Sequence, residues 1–256
     1  MKVIIVGLGV QGKKRMKVAG KDVVATVDPF VKQASHKSIY DVAINSYDAA
    51  LLCVPDEIKI NLIIYFLKNN KHILVEKPLL SKNKRDLNKI KSLVKKNKKI
   101  CYTAYNHRFE PHIQNIKKLL NKKAIGKIYF INIFYGNGTA KLVKNSSWRD
   151  KKSGVLKDLG SHIIDIIFFI FKKKIKNFKT VAIKKFENKS PDYFNLEYNN
   201  KIRINLEGTL LSWKNKFHLD IYGKKGSIHM NNLCKWGPSS LEIHKRIFPS
   251  GIPVVK

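Results

Sequence analysis

The opening stretch of the 256-residue chain runs Lys2-Val3-Ile4-Ile5-Val6-Gly7-Leu8-Gly9-Val10-Gln11-Gly12 and passes into a polar, helix-compatible segment over residues 11–18. Its β-branched run predicts a buried strand, its glycines a tight turn, and the segment beyond them a helix. Gly7, Gly9 and Gly12 keep the G-x-G-x-x-G spacing. Between a strand and a helix, the first glycine turns the chain, the second lets a pyrophosphate approach the backbone, and the third allows close helix–strand packing. The helix start then offers unpaired N–H groups to an anion. Val10 and Gln11 lie in the same loop and join the glycines as cofactor-binding candidates.

A second apolar run over residues 23–27 ends at Asp28. That is about 20 residues beyond the loop, where a carboxylate accepts hydrogen bonds from an adenosine ribose. A glycine-rich turn beside a merely solvated Asp28 is the plainer reading, but strand, loop, helix and acid together point to a dinucleotide. Asp28 favours NAD, because a carboxylate repels the 2′-phosphate of NADP. Lys32, four residues on, weakens that preference and keeps NADP as the alternative.

Outward from the loop, apolar runs over 49–54 and 72–75 alternate with helical patterns over 57–68 and 82–98, and a further strand follows at 100–104. The first helix carries apolar residues at Ile60, Ile63, Ile64 and Leu67, and the second turns Leu87, Ile90, Leu93 and Val94 inward. Alternating strands and helices predict a parallel, doubly wound sheet. After Tyr105 the pattern changes. A helix over 111–120 precedes strands over 127–135, 178–186, 193–198, 202–211, 216–222 and 227–230, with one helix near 159–171 between the first two. Short turns such as Asn199-Asn200 and Lys224-Lys225-Gly226 predict antiparallel pairing. The expected fold class is α/β. An N-terminal Rossmann domain with a doubly wound parallel sheet spans residues 1–104, and a C-terminal α+β domain with a mostly antiparallel open sheet spans residues 105–256.

The formal charge is +33 and the isoelectric point near 10.1. Such a balance raises nucleic acid as a partner. Only six of the 51 basic residues are arginine, however, and the lysines are spread along the chain from Lys2 to Lys256. Base-reading surfaces lean on arginine forks, so the reading is no nucleic acid and a diffusely basic surface. Cys53, Cys101 and Cys234 have no paired or metal-type spacing and read as small buried hydrophobes in a reducing compartment. No metal is expected: His107 and His112 flank Arg108 and Glu110 without ligand spacing and read as surface residues. Lys13, Lys14 and Arg15 read as solvent-facing. The longest apolar segment, residues 163–171, contains Asp165 and is too short for a membrane span. A cytoplasmic protein without membrane contact is expected.

Two groups carry chemistry. Lys77 stands in Glu76-Lys77-Pro78 at the end of the run His72-Ile73-Leu74-Val75, where an ammonium beside a cofactor can polarise a hydroxyl or carbonyl. Asp158 and His162 are four apart, which on a helix places both on one face. A carboxylate near an imidazole raises its basicity and orients it, which suits a proton acceptor for an alcohol. By itself such a pair is more often a helix-surface or capping contact.

Taken in order, GLGVQG, CVPDE (53–57), KHILVEKP (71–78), AYNHRFEP (104–111), IGKI (125–128), Ser147-Trp148-Arg149, DLGSHIID (158–165) and the glycine turn before Ser227 resemble the Gfo/Idh/MocA oxidoreductases, such as glucose-fructose oxidoreductase and inositol dehydrogenase. The resemblance covers residues 3–230. It implies a nicotinamide cofactor across Gly7, Gly9, Gly12 and Asp28, with Val54, Pro55 and Glu76 lining the nicotinamide ribose and Lys77 beside it. It also implies a catalytic trio of Lys77, Asp158 and His162, with Asn106, Arg108, Trp148 and Arg149 near substrate or cofactor. Arg108 as a structural ion pair and Trp148 as a packing anchor are equally good readings of those two residues. The implied substrate is a secondary alcohol or ketone of a sugar, cyclitol or nucleotide-sugar. A catalytically silent NAD-binding sensor or assembly subunit of the same fold is the rival. Family members run on past the position of Met230, so either a shortened substrate domain or a lost C-terminus is expected, and a homo-oligomer through the open sheet face stays an alternative to a monomer.

Overall fold

The structure, a computed structural model, describes all residues except 82, 147–148, 172–174, 176, 249–252 and 256, and gives 253–255 as backbone strand only. The chain divides into two compact units, Met1–Tyr105 and Asn106–Lys256.

In the first unit, β1 (Val3–Val6), β2 (Val23–Val27), β3 (Ala49–Leu52), β4 (His72–Val75) and β5 (Cys101–Thr103) form a wholly parallel sheet in the order β2-β1-β3-β4-β5. Every residue of β1 is buried, as befits a strand with neighbours on both edges and no polar side chain. The helices are α1 (Val10–Ala19), α2 (Asp56–Lys68) and α3 (Lys84–Asn97). Ile63, Phe66 and Leu67 of α2 and Ile90 of α3 join Ile4, Val6, Leu52 and Val75 in one core. Lys82, the expected start of α3, lies outside the described residues; Asn83 caps that helix by accepting from the Arg85 N–H at 2.8 Å.

In the second unit come α4 (Pro111–Asn121), β6 (Ile128–Gly136), α5 (Ala140–Lys144), α6 (Ser161–Phe171), β7 (Lys179–Lys184), β8 (Tyr193–Asn199), β9 (Arg203–Thr209), β10 (Lys216–Gly223), β11 (Gly226–Asn231), β12 (Ser240–Arg246) and β13 (Pro253–Val255). Among the described residues the strands form one eight-stranded sheet in the order β13-β12-β11-β10-β6-β9-β8-β7. All neighbours run antiparallel except the central pair β6 and β9, which is parallel. Alternate residues such as Ile131, Ile133, Leu206, Leu219 and Ile221 turn to one face and share a core with Ile163, Ile166, Ile167 and Ile170 of α6.

The Rossmann sheet and the mixed, mostly antiparallel second sheet agree with the expected fold class. Four details differ. The strands expected over 178–186 and 202–211 are shorter, at β7 and β9, because Phe186 and Leu211 belong to the flanking loops. β12, β13 and α5 add to the elements read from sequence. The helix expected near 159–171 opens with a π-helical turn, Leu156–Gly160, before α6. The cysteines are also less buried than expected: Cys53 and Cys101 are half-buried, and Cys234 is exposed.

Candidate functional site

Because the first sheet is parallel and Val6, Val27, Leu52 and Val75 stand in register, Gly7, Asp28, Cys53 and Glu76 all leave it at one carboxyl edge. That edge is where open α/β sheets bind ligands. Gly7 has φ +90, and a side chain there would strike the Cys53 carbonyl oxygen. A side chain at Gly12 would strike the Gly7 carbonyl oxygen, whereas one at Gly9 would meet no described atom within 4 Å. Gly9 is the N-cap of α1, with no side-chain cap and no acidic residue in the first turn. The helix therefore presents bare N–H groups at the one of the three loop glycines that leaves space, a cradle that a β-carbon would fill and that fits a pyrophosphate. Val10 and Gln11 are exposed beside it.

Asp28 is buried, and its two oxygens accept from three backbone N–H groups: Leu8 at 2.8 Å, Phe30 at 2.9 Å and Val31 at 3.1 Å. Burial alone would raise its pKa; those three N–H groups and the Lys37 charge outweigh it and hold the carboxyl below 3.8. The charged carboxylate thus joins the glycine loop to the segment after β2. With about four lone-pair positions it retains capacity for a hydroxyl donor.

Glu76-Lys77-Pro78 follows β4, with Glu76 and Lys77 half-buried and the Lys77–Pro78 peptide cis. Arg15 reaches from α1 to the Glu76 carboxylate, Nε to Oε1 at 2.8 Å and Nη2 at 2.7 Å. This corrects the solvent-facing expectation for Arg15; Lys13 and Lys14 are exposed as expected. Lys59 of α2, only 2% exposed, was not singled out from sequence. Its ammonium pairs with Asp56 Oδ1 at 2.7 Å and donates to the carbonyls of Glu76 at 2.7 Å and Pro78 at 3.1 Å. A signal was present: Lys59 is one helical repeat before Ile63 and so shares its inward face. Val54 is half-buried against Gly7, and Pro55 caps α2. Beside them, burial and then the Glu76 charge push the Cys53 thiol up to about 12, so it stays protonated at neutral pH.

In the second unit Asp158 sits in the π-helical turn and His162 at the start of α6, buried. Such turns widen the helix and recur at functional sites. Arg149 Nη2 approaches Asp158 Oδ2 at 3.2 Å, so these two expected site residues are brought together. The His162 ring lies against His107 with centroids 4.1 Å apart and planes tilted by 36°, and Tyr135 stands 6.3 Å away. Burial and then the Asp158 charge raise the Tyr135 pKa. His107 is therefore a buried residue rather than a surface one, at 3% exposure, because it fills the space between Tyr135 and His162. Its Nδ1 meets the Asn106 Oδ1 at 3.0 Å, and Asn106 itself is exposed. Arg108 clasps the buried Asp165 through both Nε, at 2.7 Å to Oδ2, and Nη2. Trp148 lies outside the described residues. Exposed Cys234 presents its N–H and S–H to buried Glu110 at 2.9 and 3.1 Å, and that bond raises the thiol's pKa. Among the described residues no cluster of three or more His, Cys, Asp or Glu stands at metal-binding distance, and no helix is long and apolar enough to cross a membrane.

Residues 1–105 match the model of an oxidoreductase family with an NAD-binding Rossmann fold, and residues 113–229 match that of the GFO/IDH/MocA C-terminal domain. Glucose-6-phosphate 3-dehydrogenase of Bacillus subtilis (strain 168) is 26% identical over 151 residues, 56% of this chain and 43% of that protein. Trans-1,2-dihydrobenzene-1,2-diol dehydrogenase of Xenopus laevis is 24% identical over 195 residues, 75% of this chain and 58% of that one. The matches thus span about half the length of these curated relatives. An oxidoreductase from Agrobacterium radiobacter, solved with NAD+, L-tartaric acid and magnesium, shares the fold with a TM-score of 0.80 at 17% identity, covering 100% of this chain and 79% of that one. With the Rossmann unit and the sheet-bearing unit each matched to models of one family, and in that family's order, the chain belongs to the Gfo/Idh/MocA oxidoreductases.

Proposed function

We propose that the chain is an NAD-dependent oxidoreductase acting on a secondary alcohol, or the matching ketone, of a sugar, cyclitol or nucleotide-sugar. The observation that carries this reading is the glycine cradle at the bare N-terminus of α1, with the charged Asp28 at the end of the neighbouring strand. Asp28 supports NAD over NADP, since a carboxylate fixed by three N–H groups would repel a 2′-phosphate. The names of the relatives, a sugar-phosphate and a diol dehydrogenase, support the substrate class.

A bound nicotinamide supplies the hydride acceptor or donor, which is the cofactor's own chemistry. The chain supplies alignment and proton handling. Gly7, Gly9, Val10, Gln11 and Gly12 would hold the pyrophosphate, and Val54, Pro55 and Glu76 the nicotinamide ribose. His162 Nε2 or Nδ1 takes the hydroxyl proton during oxidation and returns it during reduction. Lys77 stabilises the developing alkoxide, and Asp158, ion-paired with Arg149, adjusts the local charge. Asn106, Trp148 and Arg149 would stand near substrate, while Arg108, through its pair with Asp165, holds α6.

Absorbance of reduced nicotinamide with a panel of polyols, sugar phosphates and nucleotide-sugars tests the reading. Turnover with at least one member is expected, with His162→Asn and Lys77→Met each lowering kcat roughly 10²–10⁴-fold at unchanged NAD affinity. NAD binding without turnover on any member would replace it with the silent sensor, and full activity in both variants would remove the assigned roles.

A further inference from the structure

We propose that Lys59 is the positioning residue that holds Lys77 in place, a proposal resting on the reading of Lys77 as the alkoxide-stabilising group. An ammonium has three N–H donors, and Lys59 directs them to three oxygens: Asp56 Oδ1, the Glu76 carbonyl and the Pro78 carbonyl. The two carbonyls belong to the residues on either side of Lys77. Fixing both fixes the backbone between them, and with it the direction in which the Lys77 side chain leaves. From α1, Arg15 holds the Glu76 carboxylate. The tripeptide is therefore gripped by two cations carried on two different helices.

Stability gives little reason for a lysine at this point. Position 59 lies on the inward face of α2, one helical repeat from the fully buried Ile63, where an apolar side chain would serve. Exchanging buried ionic groups for hydrophobic ones of similar size is often neutral or stabilising. Asp56, the partner in the pair, keeps some access to water, with its side chain 19% exposed. What an apolar replacement cannot do is bind two carbonyls that otherwise end at a strand terminus. Charge-assisted bonds to them are about twice as strong as neutral ones, which suits a segment that must not drift. A displacement of about 1 Å at a reacting group costs roughly 100-fold in rate.

The test compares Lys59→Met and Lys59→Gln with the parent chain in two ways: amide hydrogen exchange over residues 76–80, and turnover in a double-mutant cycle with Lys77→Ala. Exchange over 76–80 is expected to rise about tenfold while that of β1 and β3 stays put. With NAD as probe, affinity is expected to stay within about threefold and kcat to fall roughly 10–100-fold. In the Lys77→Ala background, Lys59→Met is expected to cost nothing more, because the group it positions is gone. Lys59→Gln, which keeps an N–H for one carbonyl, is expected to fall between and serves as the readout if the methionine variant does not fold. Unchanged exchange over 76–80 overturns the proposal, and so do additive losses in the cycle or faster exchange throughout the first unit with NAD affinity falling in step. If Lys77→Ala itself leaves turnover intact, the catalytic reading of Lys77 fails, and the exchange data still decide whether Lys59 holds the segment.

Discussion

Gly12 lies against the Gly7 carbonyl while Gly9 faces open space, so alanine at each separates folding from binding. Gly12→Ala is expected to destabilise the chain by about 1–3 kcal/mol through overpacking, read as a lower Tm. Gly9→Ala is expected to change stability by no more than about 1 kcal/mol. It should nonetheless weaken NAD about tenfold or more in a fluorescence titration, since its methyl group would occupy the cradle. Asp28 gives a pH signature. Its folded pKa lies below the unfolded value of 3.8, so its contribution is fully present above that value and is lost as pH falls through the folded pKa. Asp28→Asn is therefore expected to flatten the acid side of the stability curve below about pH 4, followed by chemical denaturation at stepped pH. At this scale the sequence was legible where a side chain's role is local. The glycine spacing and Asp28 could be read because turn, helix start and strand end adjoin in the chain. Lys59, Arg15 and His107 could not be placed so directly, because their partners are Glu76 and Pro78, Glu76, and His162, each distant in sequence.

Among the elements, the turn at Asn106–Phe109 is tied to α6 by the Arg108–Asp165 pair. Asp165 is 6% exposed, so removing its charge takes a buried anion away from the half-buried Arg108 guanidinium. Asp165→Asn is expected to cost on the order of 2–4 kcal/mol, and Arg108→Lys to restore only part of the pair because it cannot offer two parallel donors. Thermal unfolding of the two variants checks both. The π-helical turn places Asp158 on a wider coil than the α-helical spacing assumed from sequence, a distinction that periodicity does not carry. α2 and α3 were legible because their apolar residues repeat with a helical period. β7 sits at an edge, mostly exposed, and its ends were correspondingly blurred. The parallel β6–β9 pair had no local signature, since two strands separated by helix and hairpin can adjoin in either sense.

For the whole molecule, NAD at 100 times its Kd is expected to stabilise the fold by about 2.7 kcal/mol. The accompanying slowing of hydrogen exchange should fall on residues 7–12, 28, 53–55 and 76–77, a pattern that a polyanion bound to the diffuse positive surface would not reproduce. The net charge of +33 then bears on solubility and on the approach of acidic ligands. The central position of β6 has a temporal consequence. Both of its neighbours, β9 and β10, follow it by about 70 residues or more. A ribosome moving at 5–20 residues per second delivers the first of them roughly 4–14 s after β6 emerges. Through that interval Ile131 and Ile133 have no cognate strand to cover them, and slower initiation or a holdase during recombinant production is expected to raise the soluble yield by shielding the nascent edge.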